Sequence, residues 1–325
     1  MTSPHDPDAG QGTPGRRPTR SWRRLPVVVV ALLVLLGIAA ADAAVVATRV
    51  DRVDVDLTDG AGDADGRTWV LVGLDSRERL PDGADVRDFG TAEAVPGSRA
   101  DVVLVVHQTD AGTTALSVPR DLVVLHGRSA GRLALTWLDG PRATVDALCD
   151  LGIPTDHLVT VDLADFAAVV DAAGGLQVDV PRPVRDPAAG LLLETAGRTH
   201  VDGATALALV RSRHPEHRVD GAWVPAPVDP DGRAGAAGDV LAALADQVRA
   251  SGAQPWRLQA VAWSASGAVA VDPETSVADL LGLALGGVGE VRVLPVGDPV
   301  DAGLARLPTA GTTAAIADAG LSCDG

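Results

Sequence analysis

Residues 98–121 read SRADVVLVVHQTDAGTTALSVPRD. Asp101–His107 is a continuous apolar run, and Thr114–Val118 is a second one closed by Pro119. Strands that are apolar on both faces sit inside a sheet covered on both sides. Trp69–Gly73 upstream has the same character, and His157–Val161, Leu176–Val180 and Glu290–Val296 are further strand candidates. Between them, apolar residues recur at helical spacing over Ala143–Leu151, Leu163–Ala173, Gly203–Arg211, Asp239–Ala250 and Val277–Leu285. A last helix is predicted over Thr312–Ala319. Mixed strands and helices predict an α/β protein: one three-layer domain with a central mixed β-sheet covered by helices, preceded by one transmembrane helix. Residues 214–238, rich in Pro, Gly and Asp, read as an exposed loop.

The chain has 325 residues and a formal net charge of -16, with 43 acidic residues against 27 basic ones. All 27 are arginines, so a lysine nucleophile or a P-loop lysine is excluded. An acidic pI near 4.7 argues against a nucleic-acid partner. A hydrophobic content of 46% excludes wholesale disorder. Residues 1–25 carry five arginines against two aspartates. The apolar run PVVVVALLVLLGIAAA follows at Pro26–Ala41 and extends to Ala47 if Asp42 is tolerated near one end. About 20 residues at ~1.5 Å each span a bilayer core. Basic residues before the run predict a cytoplasmic N-terminus, a single-pass plasma-membrane anchor and an outer domain. The alternative is a cleaved signal peptide, with Ala41-Asp42-Ala43 as the cleavage site. The expected organisation is a cytoplasmic tail (1–25), an anchor (26–47), a solvated Asp/Gly-rich linker (48–66), the outer domain (67–300) and a C-terminal tail (301–325).

Cys149 and Cys323 are the two cysteines, and their spacing fits no metal motif. In an oxidising compartment they form a disulfide that ties the C-terminal tail to the domain body. The alternative is two free thiols, with Cys149 a small buried residue on an apolar helix face.

Polar groups gather at the predicted strand ends: Gly73-Leu74-Asp75-Ser76-Arg77, Ser98-Arg99-Ala100-Asp101 and Ser117-Val118-Pro119-Arg120-Asp121. Arg211-Ser212-Arg213 ends a predicted helix. Open α/β sheets bind ligands at the carboxyl ends of strands. Two carboxylates suit Mg²⁺ with water and phosphate oxygens. Several guanidinium groups clamp phosphates through paired N–H donors. Together they point to a pyrophosphate ester as substrate. The histidines are scattered without metal-ligand spacing, and Trp223 could touch glycan.

In order and spacing, five segments resemble the LytR-CpsA-Psr family of cell-envelope proteins: GLDSR, SRADVVLVVH, LSVPRDLVV, GIPTDHLVTVDLADFAAVVDAAGGLQVDVP and VDGATALALVRSR. The resemblance covers about residues 67–298, and the lysine-free composition suits a GC-rich actinobacterial genome. It implies a hydrophobic tunnel for a polyprenyl chain and a Mg²⁺-dependent phosphotransferase. Such an enzyme moves a glycopolymer from a polyprenyl-pyrophosphate carrier to a hydroxyl of peptidoglycan, leaving a phosphodiester. Carried over by position, Asp75 and Asp101 hold the metal. Arg77, Arg99, Arg120, Arg211, Arg213 and Arg233 contact the pyrophosphate, and Asp121 orients Arg120.

The chain departs from the family's pattern at three places. Arg132-Leu133-Ala134 stands where a Lys/Arg-Ile-Asn stretch is usual. Ala236-Ala237-Gly238 replaces an Arg-Gln-Gln-type stretch, and Leu158 replaces a tyrosine. Two alternatives stand beside the transferase reading, and these losses favour the first. One is a catalytically degenerate protein that binds the lipid carrier and assists a partner enzyme. The other is a regulator, although residues 1–25 contain no helix-turn-helix pattern.

Overall fold

The computed structural model describes residues 24–57, 66–76, 97–127, 129–226, 232–252, 254–300 and 304–323. Its contacts divide the chain into two compact units, Met1–Val45 and Val46–Gly325. A helix over Arg24–Arg49 contains the apolar run. Among the described residues, no helix is long and apolar enough to cross a membrane.

The second unit is built on a seven-stranded mixed sheet. Its members are β1 (Asp51–Arg52), β2 (Arg67–Leu74), β3 (Ala100–Thr109), β4 (Gly112–Val118), β7 (His157–Asp162), β14 (Val269–Val271) and β15 (Glu290–Val293), in the order β1-β14-β7-β2-β3-β4-β15. The pairs β1–β14, β7–β2 and β4–β15 are parallel, and the others are antiparallel. A hairpin of β5 (Val123–His126) and β6 (Ser129–Arg132) follows β4. Two smaller sheets pair β8 (Leu176–Val180) with β11 (Gly197–Val201), and β10 (Leu191–Leu193), β9 (Val184–Asp186), β12 (Glu216–Val219) and β13 (Ala222–Pro225) in that order.

Alternation along the central strands separates two cores. Val70, Val72, Val103, Val105, Leu116 and Val118 face one side, packed with Leu148 of the helix Pro141–Cys149 and Ile316 of the helix Ala310–Asp318. Trp69, Leu104, Val106 and Ala115 face the other, covered by the helices Gly232–Ser251 and Val277–Gly286. The result is the three-layer α/β arrangement expected from strands that are apolar on both faces.

Two expectations are corrected. Residues 51–57 are not a solvated linker. Asp51 and Arg52 pair with Ala270 and Val271, the Val53 N–H donates to the Val271 carbonyl at 2.8 Å, and Val55 and Leu57 are buried. The alternation Val53-Asp54-Val55-Asp56-Leu57 turns every second residue inward despite its acidic composition, with Val53 half-buried and Val55 and Leu57 buried. Residues 214–238 are not a single loop either. They hold the β12–β13 hairpin and the start of the helix Gly232–Ser251, with 227–231 outside the described residues. The hairpin turns at Asp220-Gly221, both with positive φ (49° and 84°), as a two-residue Asp-Gly turn requires. Arg185 lies 4.9 Å and Arg218 6.0 Å from the Trp223 ring on β13.

The disulfide Cys149–Cys323 is formed, with a Cα–Cα distance of 5.4 Å. It joins the helix Pro141–Cys149 to the segment after the helix Ala310–Asp318, whose Ile316, Ala319 and Leu321 belong to the first core. The free-thiol alternative is thereby set aside.

Candidate active site

The site lies where β2 ends and β3 begins. The β2–β3 register runs Gly73↔Val102 and then Leu74↔Ala100, which leaves Asp101 as an extra residue. Such a bulge takes one residue out of the ladder and re-aims its side chain. The backbone around it is fixed: the N–H groups of Asp75 and Asp101 both donate to the Arg99 carbonyl at 3.0 Å. Asp75 and Asp101 therefore arrive from two strands at one place. The bulge is the local reason that a two-residue-period strand delivers this carboxylate to the site.

At the end of β4, Pro119 turns the chain, and the Leu122 N–H closes the turn onto the Pro119 carbonyl at 3.0 Å. The next two carbonyls are held from opposite sides. The Ala134 N–H donates to the Arg120 carbonyl at 2.9 Å, and the Arg306 N–H to the Asp121 carbonyl at 3.0 Å. Arg120 donates through Nη1 to Asp101 Oδ1. Its Nε stands 3.7 Å from Asp121 Oδ2, too far for a hydrogen bond, and is buried without an acceptor. Arg132 Nη1 reaches Asp121 Oδ1 at 3.1 Å. Arg213 Nη2 lies 3.6 Å from Asp101 Oδ2. The Arg120 and Asp101 side chains are each only 13% exposed. In so shielded a place an uncompensated charge is costly, and here guanidinium groups and carboxylates face one another.

Arg211 and Arg213 are delivered by the helix Gly203–Arg211. Asp202 caps its start by accepting from the Thr205 N–H at 2.8 Å, and the Thr205 bonds hold the Asp202 carboxyl below its usual range. Gly203 is needed for close approach: a Cβ there would lie 2.0 Å from the Ala167 carbonyl oxygen. Its N–H also donates to Asp171 Oδ1 at 2.7 Å. The loop after the helix is organised by Asp186, a residue not singled out from the sequence. Its Oδ2 accepts from Ser212 Oγ and from the Arg213 and His214 N–H groups, each at 2.8 Å, and its Oδ1 from the Ala188 N–H at 3.1 Å. Burial pushes this carboxyl up, but the four hydrogen bonds outweigh burial and hold it below the ordinary carboxylate range.

These residues surround a polar cavity of about 290 Å³, lined by Asp75, Asp101, Arg120, Asp121, Asp186, Arg211 and Arg213, and also by Arg306. A shallower neighbour is lined by Asp75, Arg99, Asp101, Arg120, Arg132 and Arg213. An apolar cavity of about 150 Å³ adjoins the polar one. It crosses the sheet from Val269 through Val159, Val161 and Leu71 to Val102, roofed by Phe166, Val169, Leu241 and Leu244. It shares Val102, Val210 and Ala237 with the polar cavity. The arrangement can hold an anionic head group among arginines and an apolar chain in the neighbouring space.

The structure thus brings together Asp75, Arg99, Asp101, Arg120, Asp121, Arg211 and Arg213. Arg77 lies outside the described residues. Arg233 falls in the helix Gly232–Ser251, but its side chain lies outside the described residues. At the positions that depart from the pattern, Ala134 lines the shallow cavity and Ala237 the polar one. Gly238 packs so tightly that a Cβ would meet Val291 Cγ1 at 2.5 Å.

Comparison with known proteins identifies the family and the fold. Residues 38–288 match the LytR_cpsA_psr family. The chain is 33% identical over 171 residues to the probable cell wall biosynthesis protein LcpB of Corynebacterium glutamicum, covering 51% of this chain and 41% of that protein. It is 29% identical over 145 residues to the polyisoprenyl-teichoic acid–peptidoglycan teichoic acid transferase TagV of Bacillus subtilis, covering 42% and 37%. The chain spans less than half the length of the curated relatives it matches. Among solved structures, the LytR-Csp2A-Psr enzyme from Actinomyces oris superposes with a TM-score of 0.70 at 36% identity, covering 84% of this chain and 97% of that one. With the family matched over most of its length and the fold shared with a solved enzyme, the chain belongs to the LytR_cpsA_psr family.

Proposed function

We propose that this protein is a membrane-anchored phosphotransferase that moves a glycopolymer from a polyprenyl-pyrophosphate carrier to a hydroxyl of peptidoglycan. The observation that carries the reading is the position of Arg120. It sits between Asp101 and Asp121 in a polar cavity that shares walls with an apolar one, and its buried Nε lacks an acceptor. A phosphate oxygen would satisfy that donor. The transferase named among the relatives supports the reaction class. The arginines before the apolar run at Pro26–Ala47 support an anchor with its N-terminus in the cytoplasm and the domain outside.

In the proposed reaction the acceptor hydroxyl oxygen forms a bond to the sugar-bearing phosphorus. The bridging P–O–P bond breaks, polyprenyl phosphate departs with the bridging oxygen, and the hydroxyl proton ends on that phosphate. Arg120, Arg211 and Arg213 bind the pyrophosphate oxygens and balance the charge that gathers on the leaving group. Arg99 contributes from the shallow cavity. Asp121 holds Arg120 and Arg132 in place from the far side. The apolar cavity seats the first part of the prenyl chain and keeps water from that wall.

Asp75 and Asp101 fit Mg²⁺: they are two hard oxygen donors beside a phosphate site, and this ion takes few carboxylates together with water and phosphate. Among the described residues no group of three or more His, Cys, Asp or Glu side chains converges, so the remaining ligands would come from water and substrate. Bound there, the ion would neutralise pyrophosphate charge.

Ala134 and Ala237 in the cavity walls favour a second reading, in which the protein binds the lipid carrier without turning it over. One experiment separates them. Full-length protein is incubated with a polyprenyl-pyrophosphate-linked sugar, Mg²⁺ and a peptidoglycan oligomer, and release of polyprenyl phosphate is followed. Release that stops with EDTA and falls about a hundredfold or more in Arg120→Ala supports the transferase. Binding of the lipid without release over several acceptors refutes it in favour of the second reading.

A further inference from the structure

We infer that Arg306, supplied by the C-terminal segment, is a further pyrophosphate-binding residue of this site. The inference rests on the reading of the site as a pyrophosphate cradle. Arg306 lies beyond residues 38–288, the part that matches the family, and in sequence it stands far from every other arginine of the site. It nevertheless lines the polar cavity with Asp101, Arg120, Asp121 and Arg213, and is only 6% exposed.

Main-chain bonds place it there. The Arg306 N–H donates to the Asp121 carbonyl at 3.0 Å, and the Arg306 carbonyl accepts from the Val123 N–H at 2.8 Å. It thus forms a parallel bridge to Leu122, directly after the Arg120-Asp121 pair. The segment is closed on itself by the Gly297 N–H donating to the Leu307 carbonyl at 2.9 Å. The helix Ala310–Asp318 and the Cys149–Cys323 disulfide then fix its far side to the body. The side chain is oriented by Nε donating to the Gly297 carbonyl at 2.7 Å.

A guanidinium carries five N–H donors and a permanent charge. Burying one in a pocket that already holds Arg120, Arg211 and Arg213 is unfavourable unless anions share the pocket. Asp75, Asp101, Asp121 and Asp186 line the same cavity and match these four guanidinium groups one for one; Mg²⁺ held by Asp75 and Asp101 would tip that balance, and a pyrophosphate would restore it. The same cavity is walled by Ala234 and Ala237 on the helix Gly232–Ser251. This is the stretch in which the pattern of the family places an arginine and glutamines. The C-terminal segment therefore supplies a cation to a cavity in which Ala234 and Ala237 of this helix present only methyl groups.

The test uses inorganic pyrophosphate as the probe, in Mg²⁺ buffer, with the full chain and calorimetric Kd values. Arg306→Gln keeps an N–H donor for the Gly297 carbonyl and all the main-chain bonds, but loses the charge. Its Kd is expected to rise roughly ten- to a hundredfold at an unchanged melting temperature. Arg306→Lys should recover part of the loss, and methylguanidinium should partly restore Arg306→Ala. Arg198→Gln, on the exposed strand β11, controls for general charge. Wild-type affinity in Arg306→Gln, alongside a weakened Arg120→Ala, overturns this inference and leaves the pyrophosphate site standing. If the wild-type chain does not bind pyrophosphate, or Arg120→Ala binds it equally well, the site reading itself falls and Arg306 with it.

Discussion

Asp186 makes a demanding prediction, because its carboxylate touches no proposed substrate group yet holds the loop that carries Arg213. Its four acceptor bonds come from one hydroxyl and three backbone N–H groups, and the residue is 1% exposed. Asp186→Ala removes the acceptor shared by four donors, which sit on exposed or half-buried residues and can turn to water. At about 0.5–1.5 kcal/mol for each net hydrogen bond, the loss should reach ~2–4 kcal/mol, a large share of ordinary domain stability. Asp186→Asn keeps one oxygen for the three donors at Oδ2 but turns an N–H₂ toward the Ala188 N–H and removes the charge. That should cost about 2 kcal/mol. The pH dependence follows from the sign of the shift. The folded carboxyl titrates below its unfolded value of about 3.9, so its stabilisation is fully present above that value and disappears as pH falls through the lower folded one. The stability gap between wild type and Asp186→Asn should be constant from about pH 5 upward and shrink below about pH 4. Urea unfolding of both proteins between pH 3 and 7, read by tryptophan fluorescence, measures it. A gap that is absent at pH 7, or that widens toward pH 3, would refute the reasoning.

Gly203→Ala should be severely destabilising, by about 3 kcal/mol or more, because the new Cβ meets a backbone carbonyl of the neighbouring helix at 2.0 Å. A melting temperature within 2 °C of wild type would contradict the close packing of those helices. Arg120→Lys should retain the fold and lose about a hundredfold in kcat/KM, since a point charge cannot bond Asp101 and a phosphate in one plane; near-normal turnover would count against that geometry. Cys323→Ser should lower stability by roughly 3–5 kcal/mol in the chain-entropy view of a 174-residue loop. Dithiothreitol should reproduce the effect in wild type and leave the variant unchanged.

The central strands were legible because their apolar residues are continuous: Val102–Val106 has no polar interruption, and that pattern fits only a sheet covered on both faces. Elements lacking such a pattern were missed. The helix Pro255–Ser266 buries only Val261 and Ser266 and leaves Trp256 70% exposed, so it shows no apolar stripe. The β12–β13 hairpin carried a readable turn signal in Asp220-Gly221, but the surrounding Pro and Gly content obscured it. For the site, strand ends and the Arg-Ser-Arg sequence marked most of the charged residues. The bulge that aims Asp101 was not visible, because a bulge is a property of two paired strands rather than of one segment. Asp186 and Arg306 were invisible for a related reason. Asp186 acts on residues 26 to 28 positions away, and Arg306 bridges to Leu122, so no local window contains either relationship.

The disulfide also sets an order of events. A chain synthesised from its N-terminus holds β2, β3, β4 and every family-pattern arginine long before Cys323 exists. Until that residue emerges and is oxidised, the segment bearing Arg306 is held to the body only by its main-chain bonds to Asp121 and Val123 and by the packing of Ile316, Ala319 and Leu321. The sheet and its carboxylates can therefore be assembled while one wall of the polar cavity is still to be added. Newly made protein should reach its full anion affinity only after this last segment has docked, later than the central sheet forms, and oxidation then makes that docking permanent.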